Sequence, residues 1–528
     1  MLESIKMFWK DKTIEQPRPV KQKSTFALSS DYGRGISSLA SEVIENWREA
    51  KIYNPVDFIK DDKSFIGLDH GTGEPLYIDS GDLVHTLITA PTRAGKGIYF
   101  GIKAVESLRS KKGLIIIDPK EDDFLPQICK EELEKQNRKD DFIVWNWQSD
   151  FGFKTFEDDS ESEAAKKIAT MLNLVEVEDE AGASYYRKSE RIALKKLINI
   201  FFNANELLKM NFEKNLLSFC SFLNYFLADL IASIEFSKEK NKPKANIDLM
   251  EQYGKRFFEP KNFDKNNPFK EKDISTIESL SFSLSEFENT SFSENSSILE
   301  GLKGGKCIYI KSDMLDETAL KFLKFIIADI INKARKYKKD TNCVVIADEI
   351  SFYPTSILCA ALATIAGFGV QFILAYQDDG QLINEYLKSA IKSNCQTKLY
   401  YKSSDTKTIE YIELLGGSEL VTKFTINGVE RSLKQEQESY LNVNKQRALP
   451  KAKVGILIHE SIPKPFLIDT APIKVKEKFD WDKLNNIAIK IEKIELEKIF
   501  DVFTKKKNTK KEEKEEDKII DSVEKFEI

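Results

Sequence analysis

Short apolar runs recur along the first third of the chain: Leu76–Asp79, Thr86–Thr89, Gly113–Asp118 and Phe142–Trp145. Gly113–Asp118 is apolar without interruption up to its final acid, as expected of a strand buried on both faces of a sheet. Turns and helical stretches separate these runs, among them a helix that opens at Ile98. The alternation predicts an α/β fold built on a mostly parallel sheet. From Glu161 to about Ser285 the pattern changes to helices, at Ala164–Leu172, Tyr185–Phe202 and Leu216–Glu235, with few strand-like runs. Strand runs return at Lys306–Lys311 and Asn342–Asp348, with a helix from Glu317 to Tyr337 between them. Further on, the sequence predicts a helix over Gln381–Lys392, a strand over Lys398–Lys402 and a helix over Thr406–Leu415. A mixed region at 418–475 follows and ends in two apolar runs, Val454–His459 and Pro465–Asp469.

This pattern divides the chain into five parts. Residues 1–60 are a basic segment with a helix at 36–51, residues 61–160 the first part of an α/β domain, and residues 161–285 an inserted all-α domain. Residues 286–480 complete the α/β domain, and residues 481–528 form a helix and charged tail. The run Ile357–Tyr376 has the length of a bilayer span and no charge. Gly367 and Gly369 interrupt it, and Val370–Tyr376 favours extended backbone, so a buried helix followed by a buried strand is expected instead.

Composition narrows the class. The chain has 528 residues, 41% hydrophobic and 31% charged, which is globular and long enough for several domains. Lys and Arg number 80 against 85 Asp and Glu, a net charge of −5, so any site for a polyanion must be a local patch. The six cysteines contain no Cys-x-x-Cys pair and read as buried or incidental thiols of a reducing compartment. The first dozen residues lack the apolar core of a secretory signal.

Candidate chemistry lies at the ends of the predicted strands. Ala90-Pro-Thr-Arg-Ala-Gly-Lys-Gly97 follows one strand and precedes a helix, which is the setting of a phosphate loop. Pro91, Thr92, Arg93, Ala94, Gly95, Lys96, Gly97 and Ile98 are the expected nucleotide-binding residues. The spelling departs from G-x-x-x-x-G-K-[ST], with Ala90 for the first glycine and Gly97 for the hydroxyl that normally meets Mg²⁺. A chance Gly-Lys turn is the competing reading of this segment alone. Cys343–Ala347 followed by Asp348 and Glu349 reads as a strand delivering one carboxylate, Asp348, to Mg²⁺ and a second, Glu349, to the attacking water. Taken alone it reads more readily as a strand ending in a solvated acidic turn. Gln377, after Phe372–Tyr376, stands where an amide would sense a γ-phosphate, and Lys96, Glu349 and Gln377 are the expected catalytic set. Lys120, in Asp118-Pro-Lys120, faces phosphate, DNA or solvent. His70, His85 and His459 have no metal-ligand spacing and receive no role.

As an ordered set these features resemble the TraG/TraD coupling ATPases of conjugative type IV secretion systems. The phosphate loop, Asp118-Pro-Lys-Glu, Asp348-Glu349, Ile365-Ala-Gly-Phe-Gly, Gln377-Asp-Asp-Gly-Gln-Leu382, Ser393-Asn-Cys395, Ile412-Glu-Leu-Leu-Gly416 and Gln446-Arg-Ala-Leu-Pro450 follow the family's order over roughly residues 65–475. The resemblance implies a RecA-like P-loop motor interrupted by an all-helical domain, with ATP and Mg²⁺ as cofactors. It further implies a homo-oligomeric, hexameric ring that moves single-stranded or relaxase-bound DNA toward the secretion channel components. Typical members begin with transmembrane helices, and residues 1–60 contain none; a cytoplasmic protein, peripheral at the inner membrane or held by a separate anchor protein, is the expectation. Gln371 falls where some relatives carry a basic residue, and no arginine finger is assigned. Two other readings stay open: a nucleotide-bound receptor that recruits protein cargo without pumping, and a ring motor of the HerA/FtsK group.

Overall fold

The computed structural model describes residues 49–61, 63–81, 84–149, 151–175, 181–203, 212–237, 271–288, 290, 292–382, 385–427 and 430–482. Almost all of the helix expected at 36–51, and the tail beyond 482, lie outside the described residues.

The chain opens with a hairpin of β1 (Lys63–Asp69) and β2 (Pro75–Asp79), then alternates β3 (Thr86–Thr89), α1 (Lys96–Arg109), β4 (Gly113–Asp118), α2 (Leu125–Lys135) and β5 (Phe142–Asn146). After β6 (Phe151–Phe153) the described residues form the helices α3 (Glu161–Met171), α4 (Ala181–Phe202), α5 (Leu216–Ser237) and α6 (Glu271–Ser285). Alternation resumes with β7 (Phe292–Ser296), α7 (Ile298–Leu302), β8 (Cys307–Lys311), α8 (Glu317–Lys336), β9 (Cys343–Ala347), α9 (Ser356–Leu362), β10 (Val370–Tyr376), α10 (Glu385–Asn394), β11 (Thr397–Tyr401) and α11 (Thr406–Gly416). A hairpin of β12 (Ser418–Asn427) and β13 (Glu430–Ser439), the short α12 (Val443–Arg447), β14 (Val454–His459) and β15 (Phe466–Asp469) complete it.

Eleven strands form one sheet in the order β2-β1-β15-β14-β11-β3-β10-β9-β4-β8-β5. From β11 to β5 every pairing is parallel, and β14, β15, β1 and β2 extend the sheet antiparallel. Because successive side chains point to opposite faces, the apolar strands feed two cores. Ile115, Ile117, Val345, Ala347 and Leu374 meet Phe322 and Ile326 of α8 on one face. Leu114, Ile116, Val344, Ile346 and Ile373 meet Tyr99, Phe100 and Leu108 of α1 on the other.

The uncharged run at 357–376 is α9, a 3₁₀ turn over Ile365–Phe368, and β10, as the interrupting glycines foretell. Gly369 has φ +79°, and a Cβ there would lie 2.0 Å from the carbonyl oxygen of Thr341. No helix among the described residues is long and apolar enough to cross a membrane.

Between β5 and β8, adjacent in the sheet, the chain leaves and re-enters through β6 and β7, which pair parallel to one another (Phe151↔Phe292, Phe153↔Ser296). Helix α3 lies along α8, and α4–α6 pack beyond it. One apolar cluster runs without a break from Phe322 and Phe325 through Ile168 to Leu194, Phe219 and Leu280. Within it Lys167 is fully buried, its ammonium 2.8 Å from Asp329 Oδ1 and paired with Asp159, which Lys333 also approaches at 3.3 Å. A buried lysine requires such partners, since an isolated ammonium in an apolar core is strongly disfavoured.

Gly113 fixes the packing of β4. A Cβ at this position would lie 1.6 Å from the carbonyl oxygen of Gly301 in α7, a main-chain atom that cannot swing aside. Gly113→Ala is expected to destabilise the fold by about 1–3 kcal/mol or more, the range for overpacking. The check is the urea midpoint of the purified variant, which should fall without a change in slope.

Candidate nucleotide site

In an open α/β sheet, ligands bind beyond the carboxyl ends of the strands. Here β3, β10, β9 and β4 are neighbours, in registers that pair Thr89 with Tyr376, Leu374 with Ala347, and Ile117 with Ala347. The residues that follow these positions therefore emerge together along one edge: the loop 90–95 after β3, Gln377 after β10, Asp348 and Glu349 after β9, and Asp118 at the end of β4.

The loop is pinned at both ends. Ala90 N–H donates to the Tyr376 carbonyl at 3.1 Å, and Lys453 N–H donates to the Ala94 carbonyl at 2.9 Å. Arg93 has φ 65° and Gly95 φ 130°, so the chain turns sharply into α1, whose first residue is Lys96. A Cβ on Gly95 would also press against the Tyr401 ring at 3.0 Å. Ala94 is buried, Pro91 and Ile98 are partly buried, and Thr92, Arg93 and Gly97 are exposed on the outer rim of the turn.

Lys96 reaches back over the strand ends. Its Nζ lies 2.5 Å from Asp348 Oδ1 and also pairs with Glu349 Oε1. Lys120 pairs with the same Glu349 oxygen, and Gln377 Nε2 lies 3.4 Å from it. Glu349 is 0% exposed, holds a left-handed backbone (φ 48°), and its Oε2 is buried without a hydrogen-bond partner. The Lys96, Glu349, Gln377 and Asp348 side chains singled out in the sequence are thus brought together. Lys120 faces Glu349 rather than open solvent.

Burial and charge divide the two acids. Burial, reinforced by Glu349, raises the Asp348 carboxyl to about 6 despite the lysine beside it. Burial also pushes Glu349 up, but Lys96 and Lys120 together hold it below the usual carboxylate range. Burial opposes the charge on Lys96, and the two acids outweigh it, raising its pKa. Glu349 is the carboxylate these surroundings keep ionised.

The segment after β4 is shaped by Asp118, which accepts from Lys120 N–H and Asp122 N–H, each at 2.8 Å, and from the Tyr309 hydroxyl at 2.5 Å. Tyr309 and Asp122 escaped the sequence reading. Nothing around Tyr309 in the sequence marks it, whereas Asp122 sits four residues past the strand-ending Asp118. Burial raises the Asp122 carboxyl, and Asp348 adds to the effect.

Other singled-out residues stand elsewhere. Gln371 pairs with Val344 near the amino end of its strand, opposite the loop. Gln446 is a brace, donating to the carbonyls of Ile409 at 3.0 Å and Leu441 at 2.8 Å. His85 accepts from Phe372 N–H and meets the Leu362 carbonyl, each at 3.0 Å, and burial lowers its pKa to about 4, so it is a neutral structural group.

Among the described residues no group of three or more His, Cys, Asp or Glu side chains is placed to hold a metal unaided. A divalent cation fits this site only as Mg²⁺ usually binds, through one or two carboxylates together with phosphate oxygens and water. Asp348, partly exposed beside the loop lysine, meets that requirement.

Among curated proteins, none matches the chain. The fold is similar to that of the bacterial conjugative coupling protein TrwBdeltaN70 in its unbound monoclinic form, with TM-score 0.55 and 14% identity over 83% of this chain and 95% of that one. It is likewise similar to the plasmid coupling protein TrwB in complex with a non-hydrolysable GTP analogue (TM-score 0.54, 14% identity, 83% and 96% covered). The complex of TrwB with a non-hydrolysable ATP analogue compares in the same way (TM-score 0.52, 13% identity, 83% and 96% covered). These likenesses show that the chain shares the fold of TrwB. The family described as Type IV secretory system Conjugative DNA transfer matches residues 38–452, most of the chain and all of the site, and the chain belongs to that family, the coupling proteins of conjugative secretion.

Proposed function

We propose that the chain hydrolyses ATP to drive DNA, alone or carrying a relaxase, into a conjugative secretion channel. The observation that carries this reading is the convergence of Lys96, Asp348, Glu349 and Gln377 at the carboxyl ends of adjacent parallel strands, beside a helix N-terminus. Residues 91–98 wrap the phosphates, and the Lys96 ammonium meets the β and γ oxygens. Glu349 orients the attacking water and accepts its proton, and Gln377 bridges from β10 toward the terminal phosphate. Asp348 holds Mg²⁺, which when bound neutralises charge on the phosphate oxygens. That TrwB has been solved with ATP and GTP analogues supports a nucleotide site on this fold.

In this reading the working unit is a homo-oligomeric ring, the helices between β6 and β7 receive protein cargo, and the ring works at the cytoplasmic face of the inner membrane beside its channel partners. The test is the steady-state ATPase rate of the purified full chain with and without single-stranded DNA. A severalfold stimulation is expected. A rate indifferent to DNA, with nucleotide still bound, would replace the motor with a receptor that recruits cargo without pumping.

A further inference from the structure

We propose that Asp122 supplies the metal-side oxygen that the phosphate loop lacks at Gly97, so that Mg²⁺ accompanying the nucleotide is held between two carboxylates, Asp348 and Asp122. The inference rests on the nucleotide reading above and goes beyond it by assigning a ligand outside the loop and the strand that usually provide one.

Residue 97 follows the loop lysine, the position from which a hydroxyl normally reaches the cation. In this chain the position is glycine and exposed. A Cβ built there meets one atom within 4 Å, Asp122 Oδ2 at 3.6 Å. The space that a serine or threonine oxygen would occupy is therefore bordered by a carboxylate oxygen from another element.

Asp122 is not a loosely held surface acid. Its N–H donates to Asp118 Oδ2 at 2.8 Å, and its Oδ1 accepts from Phe124 N–H at 2.7 Å, just before α2. Asp118 is in turn fixed by the Tyr309 hydroxyl and by Lys120 N–H. The segment after β4 thus presents two charged groups to the site at once, Lys120 to Glu349 and Asp122 Oδ2 to residue 97.

An independent observation points to a cation. Glu349, fully buried in the same site, keeps one carboxylate oxygen buried and without a hydrogen-bond partner, while the Lys96 ammonium sits between Glu349 and Asp348. A triphosphate that engages Lys96 draws this ammonium from the acids. Asp348, Asp122 and the unpartnered oxygen of Glu349 then meet added negative charge, with Lys120 already committed to Glu349. Mg²⁺ answers that imbalance, because its octahedral shell accepts two carboxylates beside phosphate oxygens and water.

A competing role for Asp122 is purely local, as the acceptor that starts α2. The two roles use different oxygens, and Asp122→Asn separates them by keeping a neutral acceptor for Phe124 while removing the anionic oxygen. The experiment uses the full chain, a fluorescent non-hydrolysable ATP analogue and Mn²⁺, with nucleotide affinity read against metal concentration and bound Mn²⁺ followed by electron paramagnetic resonance. Asp122→Asn is expected to need about tenfold or more additional Mn²⁺ to reach half-maximal nucleotide binding, within the range for disturbed metal sites. Its affinity in EDTA should be no weaker than that of the wild type, since a repelling anion is removed, and this also certifies the fold. Asp122→Ser, which retains an oxygen acceptor for the cap, should show the same loss. Adding Gly97→Ser to Asp122→Asn should restore most of the metal dependence. Wild-type Mn²⁺ dependence in both single variants would overturn the inference while leaving the nucleotide reading intact. A wild-type chain that binds no nucleotide would overturn both.

Discussion

Lys96→Ala is expected to lower nucleotide turnover by about two to three orders of magnitude, the scale on which deleting one preorganised group that stabilises transition-state charge is felt. The fold should survive. The ammonium that joins Asp348 to Glu349 is lost, but Lys120 continues to hold Glu349, and Asp348, whose carboxyl already sits near 6, takes up a proton instead of standing as an uncompensated buried charge. Far-ultraviolet circular dichroism should therefore match the wild type while the ATPase rate collapses and nucleotide affinity weakens. A variant with turnover within a few fold of the wild type would mean that residues 91–98 do not cradle phosphate and that Lys96 is only a structural counter-ion for two acids.

The strands that build the site were legible because each is a short apolar run that ends in, or leads directly into, a functional residue. Thr86–Thr89, Gly113–Asp118, Cys343–Ala347 and Val370–Tyr376 need no alternation when helices cover both faces, so the continuous pattern and the sheet agree. Their lateral order was not legible. That β10 lies between β3 and β9 is set by tertiary packing, and only this order brings Gln377 to Glu349.

The hairpin of β12 and β13 was invisible for another reason: Glu430–Ser439 reads ERSLKQEQES, polar at nearly every position, and its ladder is made by the main chain. In the same way Lys167 reads as one more polar residue of an amphipathic helix. Its burial follows from Asp329, which lies 162 residues away in sequence and meets it only when α3 docks on α8. Lys120 and Glu349 are 229 residues apart and meet for the same kind of reason. Sequence pattern gives the elements and the residue types that chemistry requires; it does not give the contacts that only docking creates.

Glu349→Gln is expected to keep nucleotide binding within a few fold of the wild type and to lose about two to four orders of magnitude in hydrolysis, the range contributed by a positioned general base. The substitution conserves volume and the left-handed backbone at φ 48°, and the remaining side-chain oxygen still accepts from Lys96, Lys120 and Gln377. The new amide NH₂ then replaces an oxygen that is buried and unpartnered, so two donor hydrogens face a dry pocket at a cost of about 1–3 kcal/mol. That penalty should lower the melting temperature of the variant slightly, and bound nucleotide should reduce the difference. Binding is preserved because phosphate is met by Lys96 and the loop, whereas the proton of the attacking water has no other acceptor as strongly held in its ionised form. The measurement is a paired one: affinity for a fluorescent ATP analogue, and single-turnover hydrolysis of ATP by the same preparation. Full hydrolysis with unchanged affinity would remove Glu349 from the reaction and leave it as the buried partner of two lysines.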